Sequence, residues 1–218
     1  SLNFPGPTVA TGNTGSYGTL SSSISTSLFQ TGLTIDVYGH LGSTVNTWER
    51  FIDFGQNKGN GTADASYNIQ MGRYNNTNQI VLEIFNQTSG TVSTGYCLSV
   101  NNVLDGANHR YTFLVTTNSC QLYVDGVLAN VKLGVGGTSG TSAVFSLPTN
   151  NINWNIAYLA KSNWSGDAST EGVIRYLRMF NSALAPSVID TVDSARLVNK
   201  TVTFASTQTA TVPSAVVT

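Results

Sequence analysis

The 218-residue chain predicts an all-β fold, a two-sheet antiparallel sandwich with one short C-terminal helix. Three observations carry that expectation. Short apolar or alternating runs follow one another, each stopped by Gly, Asn or Asp. Charged residues make up only 10% of the chain, against roughly 25% in an average soluble protein. Ser, Thr, Asn and Gly fill that space, so strong helix formers are scarce and solubility rests on hydroxyls and amides. Hydrophobic residues still reach 40%, enough for a core between two sheets.

Taken in order, strands are expected over residues 1–4, 33–38, 50–54, 67–71, 80–86 and 94–100. More follow at 109–115, 121–124, 127–132, 156–160 and 172–180. So many strands at short spacing fit a sandwich and not a βαβ fold. The clearest unit is 111–132, where Thr116-Thr117-Asn118-Ser119 joins two strands and Asp125-Gly126 turns the second into a third. An Asp-Gly pair between alternating apolar residues signals a hairpin, because both positions tolerate positive φ. Pro186 suits a first helical turn, with Val188, Ile189, Val192 and Ala195 at helical spacing through Leu197. The Gly/Ser/Thr-rich stretch 134–142 reads as a surface loop. Residues 1–198 show no internal repeat and no composition break, and form one domain. Residues 199–218 read as a final edge strand or a linker tail.

Charge excludes one class of partner. The net charge is −1, and no basic stripe is present for a phosphate backbone, so no nucleic acid is expected. No apolar run approaches the roughly 18 residues of a membrane span, so no membrane insertion is expected. Cys97 and Cys120 both fall in strand-like segments. A disulfide between them and a pair of buried thiols are both open, and closing that loop would add about 3 kcal/mol. Asn60, Asn75, Asn86, Asn163 and Asn199 each carry the Asn-X-Ser/Thr acceptor pattern, several of which chance alone supplies in so Asn- and Thr-rich a chain.

Catalytic patterns are sparse. A glycoside hydrolase on a sheet draws two carboxyl groups together, commonly from alternate positions of one strand. No expected strand here carries two acids, and only Glu49, Glu83 and Glu171 are glutamates. His40 and His109 stand in unrelated contexts, without zinc spacing or a Ser-His-Asp arrangement. The stretch 68–74 places Asn68, Gln70 and Gly72 on one face, followed by Arg73 and Tyr74. It suits a sugar groove or a lyase site, and also any solvent-facing strand.

The run Trp48-Glu-Arg-Phe-Ile-Asp-Phe-Gly55 resembles a landmark of laminin G-like domains of the concanavalin A-like lectin/glucanase family. So does the run Gln121-Leu-Tyr-Val-Asp-Gly-Val-Leu-Ala129. Tyr158-Leu-Ala-Lys-Ser-Asn-Trp-Ser-Gly-Asp167 is similar to a third landmark, and 172–184 to the family's closing strand and helix lead-in. The four fall in the family's order, across about 1–198. The resemblance implies a jelly roll of two antiparallel sheets with ligand sites on rim loops or the concave face.

It implies, for function, a non-catalytic carbohydrate-binding or adhesion module of a secreted, cell-surface or virion-surface protein. A polysaccharide lyase or glycosidase of the concave face, and a purely structural interaction module, are the alternatives. The expected partners are a glycan or polysaccharide and other modules of a larger chain. The candidate ligand-binding residues are Trp164, Lys161, Asn163, Asp167, Arg73 and Gln70, with Trp164 stacking on a pyranose and its neighbours bonding hydroxyls. A framework role for Asn163 and Trp164 stays open beside that. Ca²⁺ is the one cofactor implied, with Asp167, Asn163 and Asp64 as candidate ligands. Arg175 and Tyr176 stand where the family commonly has Asp-Glu, which counts against its usual site. Trp48 is expected to pack near Phe51 and Phe54, and Asp53 to accept from backbone N–H groups.

Overall fold

A computed structural model of the protein describes residues 1–4, 15–20, 24–56, 67–88, 91–135, 147, 153–164, 166–190, 198–199, 202–204 and 216–217. The strands in chain order are β1 (Leu2–Phe4), β2 (Gly18–Leu20), β3 (Ile24–Ser25), β4 (Leu33–Leu41), β5 (Arg50–Gly55) and β6 (Tyr67–Arg73). Then come β7 (Ile80–Thr88), β8 (Thr91–Ser99), β9 (His109–Val115), β10 (Cys120–Val124), β11 (Val127–Ala129) and β12 (Val131–Val135). Last are β13 (Asn153–Trp154), β14 (Ile156–Leu159), β15 (Gly172–Phe180), β16 (Val198–Asn199), β17 (Val202–Phe204) and β18 (Val216–Val217). The two main sheets have the orders β1-β15-β4-β9-β10-β11 and β12-β8-β7-β6-β5-β14-β2-β17, and β13 with β3 and β16 with β18 form two-stranded ladders beside them. Every pairing between described strands is antiparallel. This is the two-sheet all-β sandwich that the strand pattern predicts.

The core lies between the sheets. Alternate residues of each strand point inward: Leu33, Ile35 and Val37 from β4; Ile52 and Phe54 from β5; Ile69 and Met71 from β6; Leu82 and Ile84 from β7; Tyr111, Phe113 and Val115 from β9. Trp154 is 1% exposed and stacks on Phe29. Each such large apolar side chain contributes about 1.5–3 kcal/mol by leaving water.

Asp125 and Gly126 both have positive φ, at 50° and 81°, and Val124 pairs with Val127 across them, as the hairpin signal predicts. The expected strand over 127–132 is instead two. β11 stays in the six-stranded sheet, and after Asn130 the chain enters the eight-stranded one as β12. The C-terminal helix is α1 (Pro186–Ile189), with Pro at its start. The rest of its expected span, 191–197, lies outside the described residues, as does most of the expected loop 134–142. Gly134 and Val135 belong to β12. β17 pairs with β2, a strand with no alternation to announce it, and forms an edge of the eight-stranded sheet.

Cys97 of β8 and Cys120 of β10 form a disulfide, with Cα atoms 6.1 Å apart. It ties one sheet to the other across the core. Reduction under native conditions is therefore expected to lower the urea midpoint of unfolding, by an amount matching about 3 kcal/mol. An unchanged midpoint would show that the staple constrains nothing in the unfolded chain.

Candidate functional site

The inner face of the eight-stranded sheet is the core, so its outer face must be accounted for residue by residue. Register places Tyr96, Glu83, Gln70, Asp53, Tyr158 and Thr19 in one cross-strand row on that face. The next row holds Phe85, Asn68 and Gly55, and on the other side stand Leu98, Val81 and Gly72. A solvent-facing sheet of ordinary kind would show small polar and charged side chains here. Instead Asp53 is 0%, Gln70 2% and Glu83 7% exposed.

The segment after β14 covers β5. Asn163 donates to Asp53 from its backbone N–H to Oδ2 (2.8 Å) and from its amide Nδ2 to Oδ1 (2.7 Å). A Cβ at Gly55 would meet that amide at 3.3 Å, so this glycine leaves room for it. Ser162 Oγ donates to Asp167 Oδ2, and Arg50 Nη2 donates to the same oxygen at 2.8 Å. Thr170 closes the cover by accepting from the backbone N–H of Arg50 and donating to its carbonyl. That contact sits at the irregularity of β5 between Arg50 and Ile52.

Two aromatic pairs flank the polar row. Phe85 and Trp164, both half-buried, lie 5.1 Å apart on one side. Trp48 and Tyr74 meet edge to face at 5.2 Å on the other, packed on Val81, Tyr96 and Leu98. Tyr96 needs the glycine at 134: a Cβ there would overlap its ring. Trp48 is thus not packed on Phe51 and Phe54, which belong to the core. It lies on the outer face under the Arg50 guanidinium, 5.2 Å from its ring centre. Its φ is +58°, as Ala160's is +60°, a conformation costing of order 1–3 kcal/mol for such residues. Both strained positions border the same face.

Burial dominates the electrostatics. It pushes the Asp53 carboxyl up to about 6, against the opposing pull of Arg50 and the Asn163 N–H. Burial also raises Glu83 and Asp167, with Arg50 again opposing. Gln70 Nε2 donates to Glu83, while Gln70 Oε1 and Asn68 Oδ1 are buried without a hydrogen-bond partner. Such orphaned acceptors are uncommon in folded proteins and call for an explanation.

The expected site residues divide. Trp164, Asp167 and Gln70 come together on this face. Asn163 is there too, but its amide is spent on Asp53. Lys161 lies on the far flank, its Nζ 3.8 Å from the Tyr17 ring centre and 4.8 Å from that of Tyr158. Arg73 is not part of the face's open surface: it is fully buried, with Nε on Glu49 at 2.6 Å and Nη2 on the Gly42 carbonyl. It holds a sheet end together, so the groove role expected for it is corrected to a structural one. Asp167 already faces a guanidinium and Asn163 donates to Asp53, so these two do not suit Ca²⁺ as they stand; Asp64 lies outside the described residues. Among the described residues no cluster of three His, Cys, Asp or Glu side chains could hold a metal.

Two acid pairs do stand four residues apart, Glu49 with Asp53 and Asp167 with Glu171. Neither acts as one. Glu49 accepts from Arg73 and the Glu171 N–H at the end of the sheet. The acids that do share a face, Asp53 and Glu83, come from strands separated by β6. Linear spacing carries no trace of that meeting. Sequence reasoning gave no site role to Glu83, Phe85 or Tyr96, whose shared face only register reveals.

The fold matches known structures. The fold is that of lectin-type jelly rolls. The CBM40 domain of Ruminococcus gnavus IT-sialidase superposes with a TM-score of 0.52 at 13% identity, over 87% of this chain and 97% of that one. The same domain bound to α2,3-sialyllactose gives 0.53, again at 13% identity and with the same shares covered. Domains LG4-5 of the mouse laminin α1 chain give 0.42 at 14% identity, over 79% of this chain and 41% of that one. No family model and no curated protein matches the sequence.

Proposed function

We propose that the protein is a glycan-binding module that binds on the outer face of the eight-stranded sheet. The observation that carries this is the pair of aromatic flanks, Trp48–Tyr74 and Phe85–Trp164, on either side of a buried polar row. Aromatic faces suit the C–H faces of a pyranose, and the amide and carboxyl groups between them suit its hydroxyls. The jelly-roll fold shared with a domain whose structure holds sialyllactose supports the reading. The Cys97–Cys120 disulfide supports placing the module in a secreted, cell-surface or virion-surface protein, because such bonds persist in oxidising compartments. Adhesion as one module of a larger chain belongs to the same proposal.

A hydrolase or lyase draws less support. Glu83, raised by burial, has the character of a general acid. Its partner across the row does not serve, because Asp53 is fully buried with both oxygens bonded to Asn163. Asp167, the other carboxyl at this face, is tied to Arg50 and Ser162 through Oδ2, so the pair that glycoside hydrolysis needs is not evident.

The test is a glycan-array screen, with calcium and with a chelator, followed by titration of the best ligand. Trp164→Ala is expected to weaken that ligand about tenfold, the equivalent of about 1.4 kcal/mol, with the circular dichroism spectrum unchanged. Binding is expected to survive the chelator. Loss on chelation would instead establish a calcium-dependent lectin. Silence from a folded protein across a broad array would sink the reading and raise the structural role above it.

A further inference from the structure

The orphaned carboxamide oxygens of β6 on the outer face of the eight-stranded sheet are acceptors set among carboxyl groups, and that setting says which glycans fit. We infer that the site accepts carboxylate-free glycans, neutral or amino-bearing, and rejects sialylated ones. This rests on the glycan-binding reading above and deepens it.

Apart from Arg50 Nε, which faces the Asp53 carboxyl, the unmet hydrogen-bonding capacity here is that of two acceptors on β6. Gln70 is 2% exposed and Asn68 2%, yet Gln70 Oε1 and Asn68 Oδ1 find no donor. Both belong to β6, and register sets Gln70 between the carboxylates of Asp53 and Glu83. A third carboxylate, Asp167, reaches the same area from the covering segment. Ligand hydroxyls and ammonium groups are donors and satisfy such a surface. A carboxylate brings two more acceptors and a negative charge beside three carboxyl groups.

A carboxylate could still be held by a free guanidinium, the usual forked partner of such groups. Arg50 does not offer one. Its Nη1 donates to the Trp48 carbonyl at 2.8 Å and its Nη2 to Asp167 at 2.8 Å. Its Nε, buried and without a hydrogen bond, faces Asp53 Oδ2 at 3.8 Å. Arg73 is consumed by Glu49, Gly42, Thr77 and Asn78. Lys161 rests on the Tyr17 and Tyr158 rings, on the side of Asp53 away from Glu83. Lys132, on the edge strand β12, pairs with Leu98 beyond the aromatic cluster. No cation among the described residues stands free beside Gln70 and Glu83.

The shared fold therefore does not carry a shared ligand: the sialyllactose of the R. gnavus domain would meet carboxylates here. The experiment compares glycans on one backbone at pH 8, lactose with 3′-sialyllactose and an acetylated chitin oligomer with its deacetylated form. The best neutral or amino-bearing ligand of the array is titrated in parallel with its carboxylate-bearing counterpart. The carboxylate is expected to weaken binding at least tenfold, and Glu83→Gln to narrow that gap while leaving the protein folded. An acidic glycan bound equally or more tightly would overturn this inference and leave glycan binding standing. Absence of binding by every glycan would overturn both.

Discussion

Between pH 4 and pH 7 the protein is expected to lose stability as the pH rises, the opposite of what ion-paired carboxylates give. Asp53 titrates from 3.8 in an unfolded chain to about 6 in its buried position. Below 3.8 both states hold the proton, and above about 6 neither does. In between, unfolding releases a proton, so each step up in pH favours the unfolded chain. The group's stabilising contribution is present in full below the lower value and is lost through the upper one, about 3 kcal/mol in all. Burial raises Glu83, Asp167 and Glu49 as well, so they add slope of the same sign. His109, raised by its hydrogen bonds to Asp125 and Asp105, extends the fall above its unfolded value of 6.5. Asp105 works the other way: the Ala107 N–H lowers it, and its contribution fails only as the pH drops. Urea titrations at pH 4, 5, 6 and 7 on the native protein and Asp53→Asn would measure this. The substitution should flatten the slope, since the amide cannot ionise. A native stability that climbs from pH 4 to 7 would show that Asp53 is ionised in the fold, held by Arg50 and the Asn163 donors.

Legibility from the sequence stopped where neighbours are decided by register. Alternation marks β4, β5, β7 and β9 because each turns alternate apolar side chains into the core, and the spacing of two is local information. It also places Asn68, Gln70 and Gly72 together, as the structure has them. What alternation does not encode is the partner strand. Asp53 faces Gln70 and Gln70 faces Glu83 only because β5, β6 and β7 align in one register, and a slip of one residue would turn each set to the opposite face. The strand over 127–132 looks continuous in sequence, yet its halves belong to different sheets. β2 escaped notice since Gly18-Thr19-Leu20 is short and lacks a pattern. Trp164 was legible only as a candidate, and its contact with Phe85 joins residues from distant parts of the chain.

Arg73 shows the same limit in energetic form, and its removal carries the largest single cost expected here. In sequence it is a basic residue at the end of a polar strand. In the fold it is fully buried, and four groups accept from it: Glu49 Oε2 at 2.6 Å, Asn78 Oδ1 at 2.6 Å, and the carbonyls of Gly42 and Thr77 at 2.7 and 3.0 Å. Glu49 is equally buried and in turn accepts from the Glu171 N–H at 3.1 Å. Arg73→Ala would leave that carboxylate without a countercharge and strand the three other acceptors. Breaking a buried pair by removing one partner costs about 3–5 kcal/mol, a large share of the roughly 5–15 kcal/mol by which proteins are stable. Glu49 can take up a proton in response, as burial already favours, so part of the loss should be recovered at pH 4. The double variant Glu49→Gln with Arg73→Met should lose less than Arg73→Ala, because no charge remains buried. Urea unfolding followed by tryptophan fluorescence measures all three. A loss below about 1 kcal/mol for Arg73→Ala, the range of an exposed ion pair, would mean that water reaches this end of the sheet and that Arg73 belongs to an open surface after all.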